Sequence, residues 1–472
     1  MEMNANTALE NRTFDELAVG DTASLVRVLT LDDIALFAVV SGDFNTTHID
    51  PDRGVGVGVG DAFHRVVAHG MWGGGLISAV LGTRLPGLGT VHVSQSLQFA
   101  APLELGDTVT TTVTVLEKLG EGRVVFDCRC TNGAGQDVIT GKAVVRAPVE
   151  KIRHGAVEMP DVRLGYHQRH RDLLARAAGT ALPVAVAHPC DAASLRAAVE
   201  GAAAGLIDPI LVGPAAKIRA AAALAQLDIT AFRLVDEPHS QAAATRAVAL
   251  VRSGEAALLM KGSLHTDELI RAVIAHDTGL RTARRLSHVY VMDVPSYPRA
   301  LLLTDAAVNV RPTLDEKRDI LQNAIDLAHV MGIKQPRVAI LAAVEVVNPA
   351  MPSTLDAAAL CKMADRGQIT GALLDGPLAF DNAVSLEAAR QKGIVSEVAG
   401  RADILVVPDL EAGNMLAKQL SFMAGADAAG VVVGARVPII LTSRADSART
   451  RIASIAVAVL MARAAAAAPK LA

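Results

Sequence analysis

The chain has little cysteine, no excess of charge of either sign and no long uninterrupted apolar run. Its 472 residues include four cysteines, Cys128, Cys130, Cys190 and Cys361. They are too few and too scattered for a disulfide framework. Cys128 and Cys130 form a C-x-C, but they stand in the alternating run Val124–Thr131, where alternation puts both on one face of a strand. A metal site would want more ligands nearby, so the pair reads as small core-facing residues. The net charge is −4, which leaves no basic face for a nucleic acid and no pull toward an anionic membrane. Mean hydropathy is high at +0.34, yet the apolar runs fall short of the roughly eighteen residues a membrane span needs. Met1–Leu9 is polar and lacks the apolar core of a signal peptide. The expectation is a cytoplasmic protein with no membrane partner. No G-x-G-x-x-G follows a strand with an acid downstream, which argues against a nicotinamide oxidoreductase. The run Gly54–Gly60, GVGVGVG, lacks the Gly-Lys-Ser/Thr ending of a phosphate loop.

What is present is a well-folded composition, with 51% hydrophobic and 20% charged residues, and length for about three structural units. The sequence changes grammar near Pro148. Before it, Thr30–Ser41 reads as a helix with Thr30 as N-cap, Asp33 completing a near capping box and Gly42 as the stop. Met71–Gly82 is apolar nearly all round and should be a buried helix. Strand-like runs follow at Thr90–Phe99, Thr108–Lys118, Val124–Thr131 and Asp137–Arg146, with Gly-rich turns between them. These imply an antiparallel sheet around the buried helix, spanning 10–148. Residues 149–163 read as a linker. From 164 to 472, short strands alternate with helices such as Leu314–Met331, the pattern of an open, mainly parallel α/β sheet in two lobes.

The first candidate site is Ser41-Gly42-Asp43-Phe44-Asn45-Thr46-Thr47-His48. An acid and an imidazole stand close together just past a helix end, where a loop can turn both to one point. Ala68-His69-Gly70-Met71 then opens the buried helix, and free N–H groups at such a start can bind a developing oxyanion. This suits water addition to an alkene conjugated to a thioester, in which the pair holds one water and moves its proton. His69 reads as orienting the helix start and is not claimed as catalytic.

The words SGDFN-xx-H-x-D, AHGM, LISAVLG and LPG, between about Phe14 and Arg146, resemble the MaoC-like (R)-specific enoyl-CoA hydratases, which have the hot-dog fold. The resemblance implies reversible hydration of trans-2-enoyl-CoA to (R)-3-hydroxyacyl-CoA. It implies that Asp43 and His48 are the catalytic pair and that Gly70 donates its N–H to the thioester oxygen. Ser78 would lie in the active site, and Asn45 would support the loop. Thr46 stands where the family usually has Pro, and GVGVGVG replaces a more ordinary helical segment.

The second candidate site lies at strand ends. Pro438–Leu441 runs into Thr442-Ser443-Arg444-Ala445-Asp446, and ligands of open α/β sheets bind at such carboxyl ends. Arg444 can grip a phosphate, and Ser443 can hydrogen-bond a thiol or carbonyl. A second strand end adds Lys261, His265 and Thr266, with Arg271 one turn into a helix. Lys261 and Arg271 are as readily solvated or salt-bridged structure as ligands.

From about Leu164 to Leu460 the words MKGSLHTDELIR, DAAVNVRPTLDEK, DGPLAFDNAVS, ADILVVPDLEAGNMLAK and PIILTSRADS resemble the phosphate acetyltransferase and butyryltransferase family. LMKG, DGPLAFDNA and TSRADSA look more like its butyryl branch. The resemblance implies a phosphotransacylase exchanging an acyl group between CoA and phosphate, with no external cofactor and no metal. Ser443 and Arg444 would lie at the reacting centre. The acetyl branch has an Asp as base seven residues past that Ser; here the place is Thr450, and Asp446 is the nearest carboxylate. Asp446 can act as that base or simply cap a helix. The expected partners are acyl-CoA and phosphate, with a homo-oligomer implied by both relatives. The rival expectation is a hydratase whose second part only binds CoA or assists assembly.

Overall fold

The computed structural model describes residues 9–45, 48, 66–155, 162, 168–441 and 446–467. The chain forms two compact units, Met1–Tyr166 and His167–Ala472.

In the first unit the strands are β1 (Leu9–Glu10), β2 (Thr22–Val28), β3 (Val91–Phe99), β4 (Thr108–Lys118), β5 (Arg123–Thr131), β6 (Asp137–Arg146) and β7 (Arg153–His154). Five of them form an antiparallel sheet in the order β2-β4-β5-β6-β3. The period of two is clear in β5, where Val124, Phe126, Cys128 and Cys130 are all buried. That inner face meets α2 (Gly70–Thr83), whose Trp72, Leu76, Ile77, Val80 and Leu81 share its core. Gly73 permits the approach, because a Cβ there would stand 2.3 Å from Ile139 Cδ1. The expected sheet around a buried helix is therefore present, and both C-x-C thiols face the core.

The helix ahead of the first site, α1 (Leu31–Ser41), starts and stops where its caps dictate. Asp33 N–H donates to Thr30 Oγ1 at 3.1 Å, Thr30 N–H donates to Asp33 Oδ2 at 3.0 Å, and Gly42 takes φ +73°. Asp33 is buried and pairs with Arg27.

The sequence did not show how far this unit extends. Beyond Pro148 the chain folds back, with β7 pairing β1. The Asn11 amide donates to Glu150 O at 2.9 Å, and its oxygen accepts from Ile152 N–H at 2.9 Å. Residues up to His154 thus belong to the first unit rather than to a linker, because one buried Asn satisfies main-chain groups on both segments.

The second unit is built on β8 (Leu182–Ala187), β9 (Ile207–Gly213), β10 (Arg233–Asp236), β11 (Leu258–Lys261), β12 (Ser287–Asp293), β13 (Leu301–Thr304), β14 (Arg337–Leu341), β15 (Leu373–Leu378), β16 (Ile404–Val406), β17 (Asp427–Val433) and β18 (Ile439–Ile440). They form one sheet, β10-β9-β8-β11-β18-β17-β12-β13-β16-β14-β15. Each flank is parallel. In the middle, β17 runs antiparallel to β18 and to β12, and β12 runs antiparallel to β13. The two expected lobes are thus two parallel halves of a continuous sheet, running in opposite directions. Helices cover the faces, among them α3 (Thr266–Val273), α4 (Leu314–Val330) and α5 (Ala448–Ala467). By length and composition α5 could cross a membrane, but Ile455–Val459 are fully buried in the unit's core. It packs as a core helix.

Candidate functional site

The first site forms where the loop after α1 meets the start of α2. Ser41 Oγ accepts from Asp43 N–H at 3.2 Å, and Asp43 Oδ1 accepts from Asn45 N–H at 3.2 Å, so the loop is turned by its own side chains. Asn45 O then accepts from His48 N–H at 3.0 Å. Asn45 thus supports the loop through its main chain at both ends. The segment Val67–Gly70 is pinned on the other side. Val67 bridges Glu104, and Ala68 N–H donates to Leu103 O at 2.8 Å.

These two segments bring Asp43, His48 and His69 together, with one ligand-type atom of each within 4.8 Å of the others. Asp43 is exposed, His48 half-buried and His69 buried. His48 Nδ1 lies 2.8 Å from Val67 O. A carbonyl only accepts, so Nδ1 carries the hydrogen and donates it to Val67 O, which fixes the ring. His69 packs its ring on His48 at 4.0 Å between centroids and 31° between planes. By donor type, Asp43, His48 and His69 could also hold a cation.

No side chain caps α2 at its N-terminus. Gly70, its first residue, lines a pocket of about 250 Å³ with Ala68, His69, Phe99, Pro102, Leu103 and Ile139. The first-turn N–H groups there carry the positive end of the helix dipole. A basic imidazole, a carboxylate and main-chain donors therefore converge beside an apolar cavity. Ser78 is not among its lining residues. It lies about two turns along α2 on the exposed side, with Met71 and Gly75. GVGVGVG, Thr46 and Thr47 lie outside the described residues. His69, read from sequence as orienting the helix start, also reaches Asp43 O. Its signal was its place directly before Gly70.

At the second site Ser443 and Arg444 lie outside the described residues. The strand that precedes them in sequence, β18, pairs with β11, whose end carries Lys261. Lys261 is half-buried, with Nζ donating to Gly262 O at 3.3 Å. The next turn is tight. A Cβ on Gly262 would stand 2.4 Å from Ala187 O, and Ser263 Oγ donates to His188 O at 2.8 Å while accepting from Cys190 N–H at 3.1 Å.

His265 is the exposed N-cap residue of α3, and Thr266, half-buried, is its first residue. Arg271 does not join this edge. It is exposed, lies 3.8 Å from Asp267 as an i,i+4 pair, and faces a groove with Gln241 and Thr245. The solvated-pair alternative raised from sequence is the one seen for it.

Thr450 sits in the first turn of α5, where Ser447 Oγ accepts its N–H at 3.1 Å. Asp446 is half-buried, and Arg451 Nη1 donates to its carbonyl at 2.6 Å. On β12, burial pushes the Tyr290 phenol above its usual range, and the Asp446 charge adds to the rise. Tyr290 carried no sequence signal. Beside Tyr290, at 4.4 Å between centroids, His288 is fully buried and held neutral by desolvation.

Comparison with known proteins finds relatives of both parts of the chain. Residues 239–459 match the family model "Phosphate acetyl/butaryl transferase", and residues 20–130 match a MaoC-like domain. A phosphate acetyltransferase of Rhizobium meliloti is 65% identical over 288 residues, covering 61% of this chain and 91% of the relative. Among solved structures, a branched-chain phosphotransacylase from Enterococcus faecalis V583 is 30% identical with TM-score 0.54, covering 60% of this chain and 99% of that one. The R-hydratase PhaJ1 from Pseudomonas aeruginosa in the unliganded form is 38% identical with TM-score 0.32, covering 34% of this chain and all of that one. The chain belongs to the phosphate acetyl/butyryltransferase family and carries a MaoC-like domain ahead of its transferase part.

Proposed function

We propose that the chain is a bifunctional acyl-CoA enzyme. The first unit hydrates trans-2-enoyl-CoA to (R)-3-hydroxyacyl-CoA, and the second exchanges an acyl group between CoA and phosphate. The observation that carries the first activity is the His48 imidazole, fixed by the Nδ1–Val67 hydrogen bond and grouped with the Asp43 carboxylate. A water held between the two gives its proton to His48 as its oxygen attacks C3. The negative charge that develops on the thioester oxygen falls to the Gly70 N–H at the start of α2. The proton then returns to C2, so the product gains one water and the pair is restored.

The second activity rests on family membership and on the polar strand ends. Arg444 neutralises the phosphoryl group and Ser443 orients the acyl carbonyl. In the direction of acyl-CoA synthesis, the CoA sulfur attacks the acyl carbon and phosphate leaves. A free thiol, with a pKa near 8.5, is mostly protonated at neutral pH and needs a base. Thr450 cannot serve as one. Asp446, the nearest carboxylate in the sequence, takes that role. Acyl-CoA and phosphate are then the small-molecule substrates, and a cytoplasmic setting suits both.

Crotonyl-CoA tests the first activity, through loss of enoyl absorbance and the configuration of the product. An (R)-product supports the assignment, and no hydration removes it. Acyl-CoA with phosphate tests the second. CoA release above the Arg444→Ala background supports transfer, and equal rates leave the second unit as a binding or assembly module.

A further inference from the structure

We propose that His69 is the positioning residue of the hydratase site, holding Asp43 by its main chain and His48 by its ring. The inference rests on the hydratase reading above. His69 is only 3% exposed, and its Nε2 lies 3.1 Å from Asp43 O. The carbonyl can only accept, so Nε2 carries the hydrogen and donates it. Nδ1 is then a bare lone pair, buried and without a hydrogen-bond partner among the described residues. His69 therefore reaches Asp43 as a hydrogen-bond donor to its peptide carbonyl.

Its ring lies between Phe37, at 5.1 Å, and His48, at 4.0 Å. The same short stretch of chain grips both catalytic groups. Val67 O fixes His48 Nδ1, and the His69 side chain, two residues on, fixes the peptide that carries Asp43. Gly70 follows directly with the donor for the thioester oxygen. Four successive residues, Val67 to Gly70, thus set the relative positions of base, carboxylate and oxyanion donor. Such positioning acts on the chemical step, because a small misplacement of the pair costs rate more than affinity.

The test uses the full-length chain and crotonyl-CoA. His69→Phe keeps a ring against His48 and removes the donor. His69→Gln carries an amide that reaches the level of Nε2 and restores it. The expected result for His69→Phe is a fall in kcat of about tenfold or more with KM within about twofold, while His69→Gln keeps kcat within about threefold. Should His69→Phe fail to fold by thermal unfolding, His69→Asn, whose amide ends at the level of Nδ1, reads the same loss. Wild-type kcat in the donor-less variants overturns the proposal. So does an equal loss in His69→Phe and His69→Gln, which marks a packing role. Wild type and Asp43→Asn run alongside. If wild type does not hydrate, or Asp43→Asn matches it, the hydratase reading itself fails. If only the His69 pattern fails, the reading stands and this inference alone falls.

Discussion

The two sites are assembled in contrasting ways. In the first unit, the proposed base, carboxylate and oxyanion donor come from one loop and one helix start, between Asp43 and Gly70. In the second, the proposed groups are spread in sequence from Lys261 to Thr450, on segments that follow the neighbouring strands β11 and β18. A locally built site depends on a few hydrogen bonds within and between two short segments. A sheet-edge site depends on strand registry across the whole unit. The difference teaches where each activity is vulnerable. Single side chains should govern the first, while backbone fit should matter as much as side chains in the second.

The largest expected effect tests the local site. His48→Ala removes the base and should lower crotonyl-CoA hydration by roughly 10²–10⁴-fold, with acyl transfer unchanged when both are measured on one preparation. A joint loss of the two activities would break the contrast. Next comes Arg444→Ala, which should lower acyl transfer by about 10²-fold or more while hydration stays at the wild-type rate. Asp446→Asn should also slow transfer, and Thr450→Ala should leave it within about threefold, since the helix cap is the Ser447 hydroxyl and Thr450 meets it through its main-chain N–H, which alanine keeps. The reverse ranking would move the base away from Asp446.

Gly262→Ala tests backbone fit. The new methyl meets two main-chain oxygens, Ala187 O and His188 O, and should cost about 1–3 kcal/mol of stability. Denaturation followed by a probe in the second unit reads it, and transferase activity should fall before hydratase activity. The smallest effect is expected of Arg271→Ala, which removes an exposed ion pair and should leave both activities and the unfolding temperature near wild type.

Sequence patterns made the local site legible because its determinants are short-range. Thr30, Asp33 and Gly42 mark the ends of α1, alternation marks β4 to β6, and Asp43 with His48 stands just past a helix stop. The long-range features were not legible. β12 and β17 are buried on both faces and read as continuous apolar runs, which carry no information about direction. Their antiparallel placement, and hence the single sheet, therefore appears only in three dimensions. The short strands β2 and β10 gave no usable signal. Asn11, which straps residues 150–154 to the first unit, is one polar residue paired across the length of that unit. His69 was underread because a lone His before a helix has many ordinary explanations. What distinguishes it is its contact with Asp43 O, which no spacing rule reports.

The most direct test of the central claim is the hydration rate of Asp43→Asn, measured with acyl transfer on the same sample. The substitution keeps shape and hydrogen bonding but removes the carboxylate charge that faces His48. The account predicts that crotonyl-CoA hydration is lost while acyl transfer persists at the wild-type rate. Hydration at the wild-type rate in that variant would contradict it.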